Sequence, residues 1–216
     1  MAKNTYKRAI QLSPEERRKQ LLHCALRAFA CNGIGRGNHA MVAKEAGVAV
    51  PTVFSYFPTR EALVDAILQE IEHKLLTIVT QQKMRTDLTA YQKLLNLLVN
   101  YADFIDQEPD LVKVFLGWNA SFEDEIAKKY QAYLKKVINL LIEIVIEGQE
   151  KNEFGSDVNP EDAALIVYGS ANIVAHIKFS NYSTDVTHYL VSLIKSTLHL
   201  NEDDKHQKKS PRKTQT

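Results

Sequence analysis

A chain of 216 residues, 45% hydrophobic and 25% charged, has the composition of one or two globular domains and the length to bury a substantial core. That excludes a fibrous, wholly disordered or disulfide-scaffolded protein, and the longest apolar run, 137–146, is interrupted by Asn139 and Glu143 and too short to span a bilayer. The net charge of +1 conceals an asymmetry: residues 1–60 carry ten Lys/Arg against three Asp/Glu, whereas residues 61–200 carry twelve against twenty, so a polyanion-binding surface is expected near the N-terminus.

Residues 1–12, with Lys3, Lys7 and Arg8, read as a flexible basic arm. They lack the apolar stretch of a signal peptide, which predicts a cytoplasmic protein. Ser13-Pro14-Glu15-Glu16 then opens a helix, with Ser as N-cap, Pro at the first turn and Glu16 completing a capping box. Leu21, Leu22, Ala25, Leu26, Ala28 and Phe29 form its apolar stripe, and Asn32-Gly33 ends it. Cys24 and Cys31 lie on this helix, roughly 10 Å apart along the axis, too far for a disulfide.

From Ala40 to Ala46 apolar residues recur at helical spacing after Asn38, a good N-cap. Gly47 breaks the pattern, and Val50 to Phe57 begins another helix. Two short helices meeting across a Gly-containing turn form a helix-turn-helix, whose second helix enters the DNA major groove. Thr59 caps a long fourth helix with apolar positions at 63, 64, 67, 68, 71, 75, 76, 78 and 79, a connecting rod. Further helices are expected at roughly 88–106, 109–117, 121–150, 159–180 and 184–199. No alternating strand pattern appears, so the fold class is all-α. The division is an arm (1–12), a helix-turn-helix domain (13–60), a helical effector and dimerisation domain (61–200) and a polar, disordered tail (201–216).

These phrases resemble the TetR family of bacterial regulators. Gly47-Val48, Thr52-Val53-Phe54, Tyr56-Phe57 and Arg60-Glu61-Ala62-Leu63 carry the likeness. Within the family, Gly33-Ile34-Gly35-Arg36-Gly37, His39-Ala40, Pro58-Thr59 and Leu63-Val64-Asp65 look like the Vibrio quorum-sensing master regulators of the LuxR/HapR/SmcR type. The likeness continues more weakly at 111–114, Trp118, Ala120-Ser121 and Asp124-Glu125. Three positions depart from that branch, which usually has Ser at Ala49, Ala at Pro51 and Asn at Ser55. The resemblance implies the TetR-like fold and a transcriptional regulator, with repression and activation both open; the operator does not carry over.

In the reading helix, Val53, Phe54 and Phe57 should pack inward, leaving Val50, Pro51, Thr52, Ser55 and Tyr56 outward. Thr52 and Ser55 suit base edges or phosphates, and Val50 suits a thymine methyl. Arg60, at a helix start, is placed for phosphate, and Asn38 offers its amide. The resemblance implies phosphate contact by Tyr56, whose alternative is a half-buried staple, and a reach toward DNA by Arg36, whose alternative is an incidental loop charge. Arg8 could enter the minor groove or trail in solvent.

One such helix reads few base pairs, so a homodimer on a pseudo-palindromic double-stranded operator is expected. Ala163, Ala164, Ile166, Val167, Gly169, Ser170 and Ile173, with Val186, Leu190, Leu193, Ile194 and Leu198, are the candidate interface, or else only fill the core. The resemblance also implies an effector cavity for a small apolar molecule of unassigned identity. Its candidate lining is Phe104, Phe115, Trp118, Phe122, Tyr133, Leu134, Val137 and Asn172, for each of which ordinary core packing is the alternative. Seven scattered His, with no HExxH, CxxC or Gly-rich phosphate loop, argue against an enzyme and call for no cofactor or metal. The rival class is a helical interaction adaptor without DNA specificity, supported by Ala49 and Pro51.

Overall fold

In the computed structural model, the described residues are 12–180 and 182–200. Residues 1–11 of the expected arm, with Arg8, and the tail 201–216 fall outside them. The described residues form helices α1 (Pro14–Asn32), α2 (His39–Ala46), α3 (Val50–Tyr56), α4 (Arg60–Lys83), α5 (Ala90–Gln107), α6 (Pro109–Asn119), α7 (Asp124–Glu150), α8 (Pro160–Phe179) and α9 (Val186–Leu198), and include no strand.

Side-chain caps set most of the helix starts. The amide of Glu16 donates to Ser13 Oγ at 3.2 Å while Ser13 N–H donates back to Glu16 Oε2 at 2.8 Å. Thr89 and Gln92 form the same reciprocal box on α5. Asn38 Oδ1 accepts from Met41 N–H and Thr59 Oγ1 from Ala62 N–H. Helix α3 differs: its N-cap is Ala49, with no side-chain bond to the first turn. Ser at that position supplies the missing acceptor, worth about 1 kcal/mol. Ala49→Ser should therefore raise Tm by roughly 2–4 °C in a thermal melt; an unchanged or lower Tm would show that the open cap is not a weakness.

Helix α5 is central, packing on α4, α6, α7, α8 and α9, while α1 packs on α2, α4 and α6. One continuous core runs from Leu21 through Leu63, Ile67, Leu94 and Trp118 to Leu198. Lys93, almost wholly buried on α5, donates to both carboxylate oxygens of Glu147 on α7 at 2.8 and 2.7 Å.

The α8–α9 stripe divides differently from expectation. Ala163, Ala164, Val167 and Ser170, with Leu190, Ile194 and Leu198, are buried within the single chain. The apolar side chains left on the outside of α8 are Leu165, Ile166 and Ile173, each nearly half exposed, beside half-buried Gly169. Helix α8 is apolar on two faces, and periodicity alone does not say which one meets the core. His176, toward the end of this helix, is exposed, and half-buried Asn172 accepts from Asn119 Nδ2 at 3.2 Å.

Candidate nucleic-acid interface

The turn between α2 and α3 is made possible by Gly47, at φ 65° in the left-handed region. From there α3 is held to the body at three points. Val53 is fully buried, and Phe57 is buried with the Arg18 guanidinium 5.2 Å from its ring centroid. The third point is His39, at the start of α2. Its ring stacks on Phe54 with centroids 3.9 Å apart and planes 5° from parallel, and its Nε2–H donates to the Phe57 carbonyl at 2.7 Å. His39 thus grips α3 in its middle and at its last turn.

The outward surface is then set. Val50, Pro51 and Ser55 are exposed, and Thr52 and Tyr56 are half-buried at its edges. Phe54, expected inside, is 45% exposed, because the His39 ring occupies its inner face while the other side meets solvent. The Ser55 hydroxyl donates to Thr52 O at 2.7 Å, which leaves its oxygen as an acceptor and lets it rotate toward another partner. Tyr56 is half-buried and packs against the core edge, as the staple alternative has it.

Arg36 is exposed at the tip of the α1–α2 loop, its Nε donating to Asn32 O at 3.3 Å. Its neighbour Gly37 serves packing: a Cβ there would come within 2.5 Å of the Phe29 ring. Asn38 is committed to capping α2, and its amide nitrogen donates to Arg36 O at 3.3 Å. Arg60 corrects the simplest expectation. Its Nη2 donates to Ile34 O at 2.7 Å and Gly35 O at 2.9 Å, and its Nε to Gly37 O at 3.2 Å. Most of its donors clamp the Arg36 loop to the start of α4, so this side chain positions the loop. Sequence reasoning missed this because the three acceptors are main-chain oxygens more than twenty residues away.

Arg60→Ala should weaken operator binding by about tenfold, with Arg60→Lys little better, since an ammonium cannot reproduce the planar fork. The salt slope of log K discriminates: a clamp leaves it unchanged, whereas loss of a direct phosphate contact lowers it by about one.

Between α4, α5, α6, α7 and α8 lies a cavity of about 40 Å³. Phe115, Tyr133, Val137 and Asn172 line it as expected. Trp118 stands behind Tyr133, ring centroids 5.5 Å apart, with its indole N–H donated to Ile126 O. Phe104 and Leu134 pack on the core elsewhere. Phe122 is a correction: it is 95% exposed, because α6 stops at Asn119 and the connection to α7 leaves the core. Tyr101 and Tyr168, with Leu75, Ile78 and Val79 of α4, also line it, among further aliphatic residues of α5, α7 and α8. Periodicity marks all of these as core and carries no sign of the gap. A larger groove of about 470 Å³ beside Gln69, His73 and Thr80 of α4 opens to solvent. Among the described residues, no group of three or more His, Cys, Asp or Glu could hold a metal ion, and no helix is long and apolar enough to cross a membrane.

Residues 21–67 match the family model described as bacterial regulatory proteins, tetR family, and residues 87–176 match the tetracyclin repressor-like C-terminal domain. The HTH-type transcriptional regulator LuxR of Vibrio harveyi is 33% identical over 159 residues, 74% of this chain and 77% of that protein. Among solved structures, Bacillus subtilis FadR in complex with stearoyl-CoA superposes with a TM-score of 0.69 at 21% identity, covering 83% of this chain and 97% of FadR. The SmeT–triclosan complex gives 0.72 at 12% identity, covering 92% and 99%.

Proposed function

The chain belongs to the TetR family of bacterial regulators and is a DNA-binding transcriptional regulator, and from that premise we propose that it acts in the cytoplasm as a homodimer on a pseudo-palindromic operator. The observation that carries this is α3, locked by Val53, Phe57 and His39 with Val50, Pro51, Thr52 and Ser55 facing out. Ser55 and Thr52 meet base edges, Val50 and Pro51 give apolar contact, and Arg36 and Tyr56 reach the phosphates. A seven-residue helix covers a few base pairs, so specificity comes from two copies at fixed spacing. The outer face of α8, with Leu165, Ile166 and Ile173, joins them. The likeness to LuxR supports a place in the quorum-sensing branch.

The cavity beside α4 takes a small apolar effector, as the same fold accommodates stearoyl-CoA in FadR and triclosan in SmeT. Helix α4 lines the cavity at Leu75, Ile78 and Val79 and carries Arg60 at its other end, roughly 22 Å away along the axis. An occupant that fits one tilt of α4 better than another therefore shifts the reading heads by its differential affinity.

Selection of bound fragments from a random duplex library at roughly physiological salt tests the reading. A two-fold motif bound by two protomers is the expected result, since non-specific binding weakens steeply with salt. Absence of any enriched sequence, with the cavity empty and with it filled, would favour the adaptor reading instead.

A further inference from the structure

The cavity wall carries an unusual concentration of phenols. Tyr101, Tyr133 and Tyr168 line it, and the Tyr168 hydroxyl meets that of Tyr130 at 2.6 Å. Tyr101 is 6% exposed, and its hydroxyl has no hydrogen-bond partner among the described residues. A buried hydroxyl left unpaired is destabilising, a cost that Phe at the same position avoids. Buried Gln82 also leaves its Oε1 unpaired, but it is not among the residues lining this cavity.

The surroundings narrow what could pair with Tyr101. Desolvation, reinforced by the neighbouring phenols, pushes Tyr101, Tyr133 and Tyr168 well above the usual tyrosine range, so each keeps its proton and can donate. No Lys, Arg, His, Asp or Glu lines the cavity. A carboxylate or ammonium there would stay desolvated and uncompensated. The other walls are mainly aliphatic and aromatic, and the amide oxygen of Asn172 already accepts from Asn119.

We propose that the effector is an uncharged, mainly apolar molecule with one acceptor oxygen, such as a ketone, aldehyde or ester carbonyl, that accepts the hydrogen bond of the Tyr101 hydroxyl. The proposal rests on the cavity being the effector site and names the chemistry that site selects. The present volume of about 40 Å³ is smaller than a six-atom ring requires, so a ligand enters only as the walls of the cavity yield.

Trp118 is the only tryptophan, so its indole N–H, donated to Ile126 O beside Tyr133, supplies a single indole N–H NMR resonance to follow. Full-length protein is titrated with cyclopentanone and with methylcyclopentane, equal in non-hydrogen atoms, following that resonance in wild type and Tyr101→Phe. Both probes bind wild type in the expected result, and Tyr101→Phe weakens the ketone relative to the hydrocarbon by about fivefold, the worth of one neutral hydrogen bond. The variant's own Tm stays level or rises, because an unpaired polar group has been removed. If both probes bind and their affinity ratio is the same in both proteins, the Tyr101 assignment is overturned while the effector site stands. Tighter binding of cyclopentanecarboxylate than of cyclopentanone overturns the uncharged class. If no probe moves the resonance, the effector-site reading falls, and the proposal with it.

Discussion

Replacing Ile166 and Ile173 together by Glu is expected to convert the protein to a 24.5 kDa monomer and to weaken operator binding at least a hundredfold. Both side chains lie on the outer face of α8, 47% and 49% exposed, seven residues apart and so on one line of the helix. Leu165 flanks them at 48%, and half-buried Gly169 between them lets another helix come close. In a two-fold interface each stripe meets its own copy, so two Glu per chain place four carboxylates in a desolvated seam. Dimerisation converts binding of the second half-site into an intramolecular event at roughly millimolar effective concentration, and its loss forfeits a factor on the order of 10² to 10⁴. Because both residues are already half exposed, helicity and Tm of the protomer should change little. Sedimentation velocity and operator titration read the two effects separately, and a variant that stays dimeric would move the interface elsewhere.

The second large effect is expected at His39, away from the outer surface of α3. His39→Ala removes the ring against Phe54 and the donor to the Phe57 carbonyl in one step. Loss of a buried ring and of a hydrogen bond that leaves a buried carbonyl unpaired should cost about 2–4 kcal/mol of stability. Of the three attachments of α3, only Val53 and Phe57 then remain, and operator affinity should fall about thirtyfold or more. The dimer should survive, since α8 is remote from α2. His39→Phe keeps a stacking partner without the donor and should fall between the two. If His39→Ala bound operator as tightly as wild type, α3 would be held well enough without it.

Much of this was legible in the residues and some was not, for physical reasons. Caps and breaks are local, so Ser13, Asn38, Gly47 and Thr59 marked helix starts and stops that the structure keeps within a few residues. The outward placement of Val50, Pro51 and Ser55 followed from helical periodicity. Phe54 did not, because an aromatic ring is satisfied by one covered face, and the covering group, His39, lies fifteen residues away. Arg60 was legible as a charge at a helix start, but its carbonyl partners were not. The cavity was least legible: Tyr101 and Tyr168 follow the core pattern, and only packing in three dimensions leaves one hydroxyl without a partner.

The account stands on the outer face of α3 reading base edges. The most direct test repeats the random-library selection with Ser55→Asn and compares the recovered motif with that of wild type. If Ser55 faces a base edge, the motif changes at one position, mirrored in both half-sites, because Asn favours adenine through its paired donor and acceptor. An unchanged motif, bound more weakly throughout, would mean that α3 only rests on the backbone and that sequence is read elsewhere.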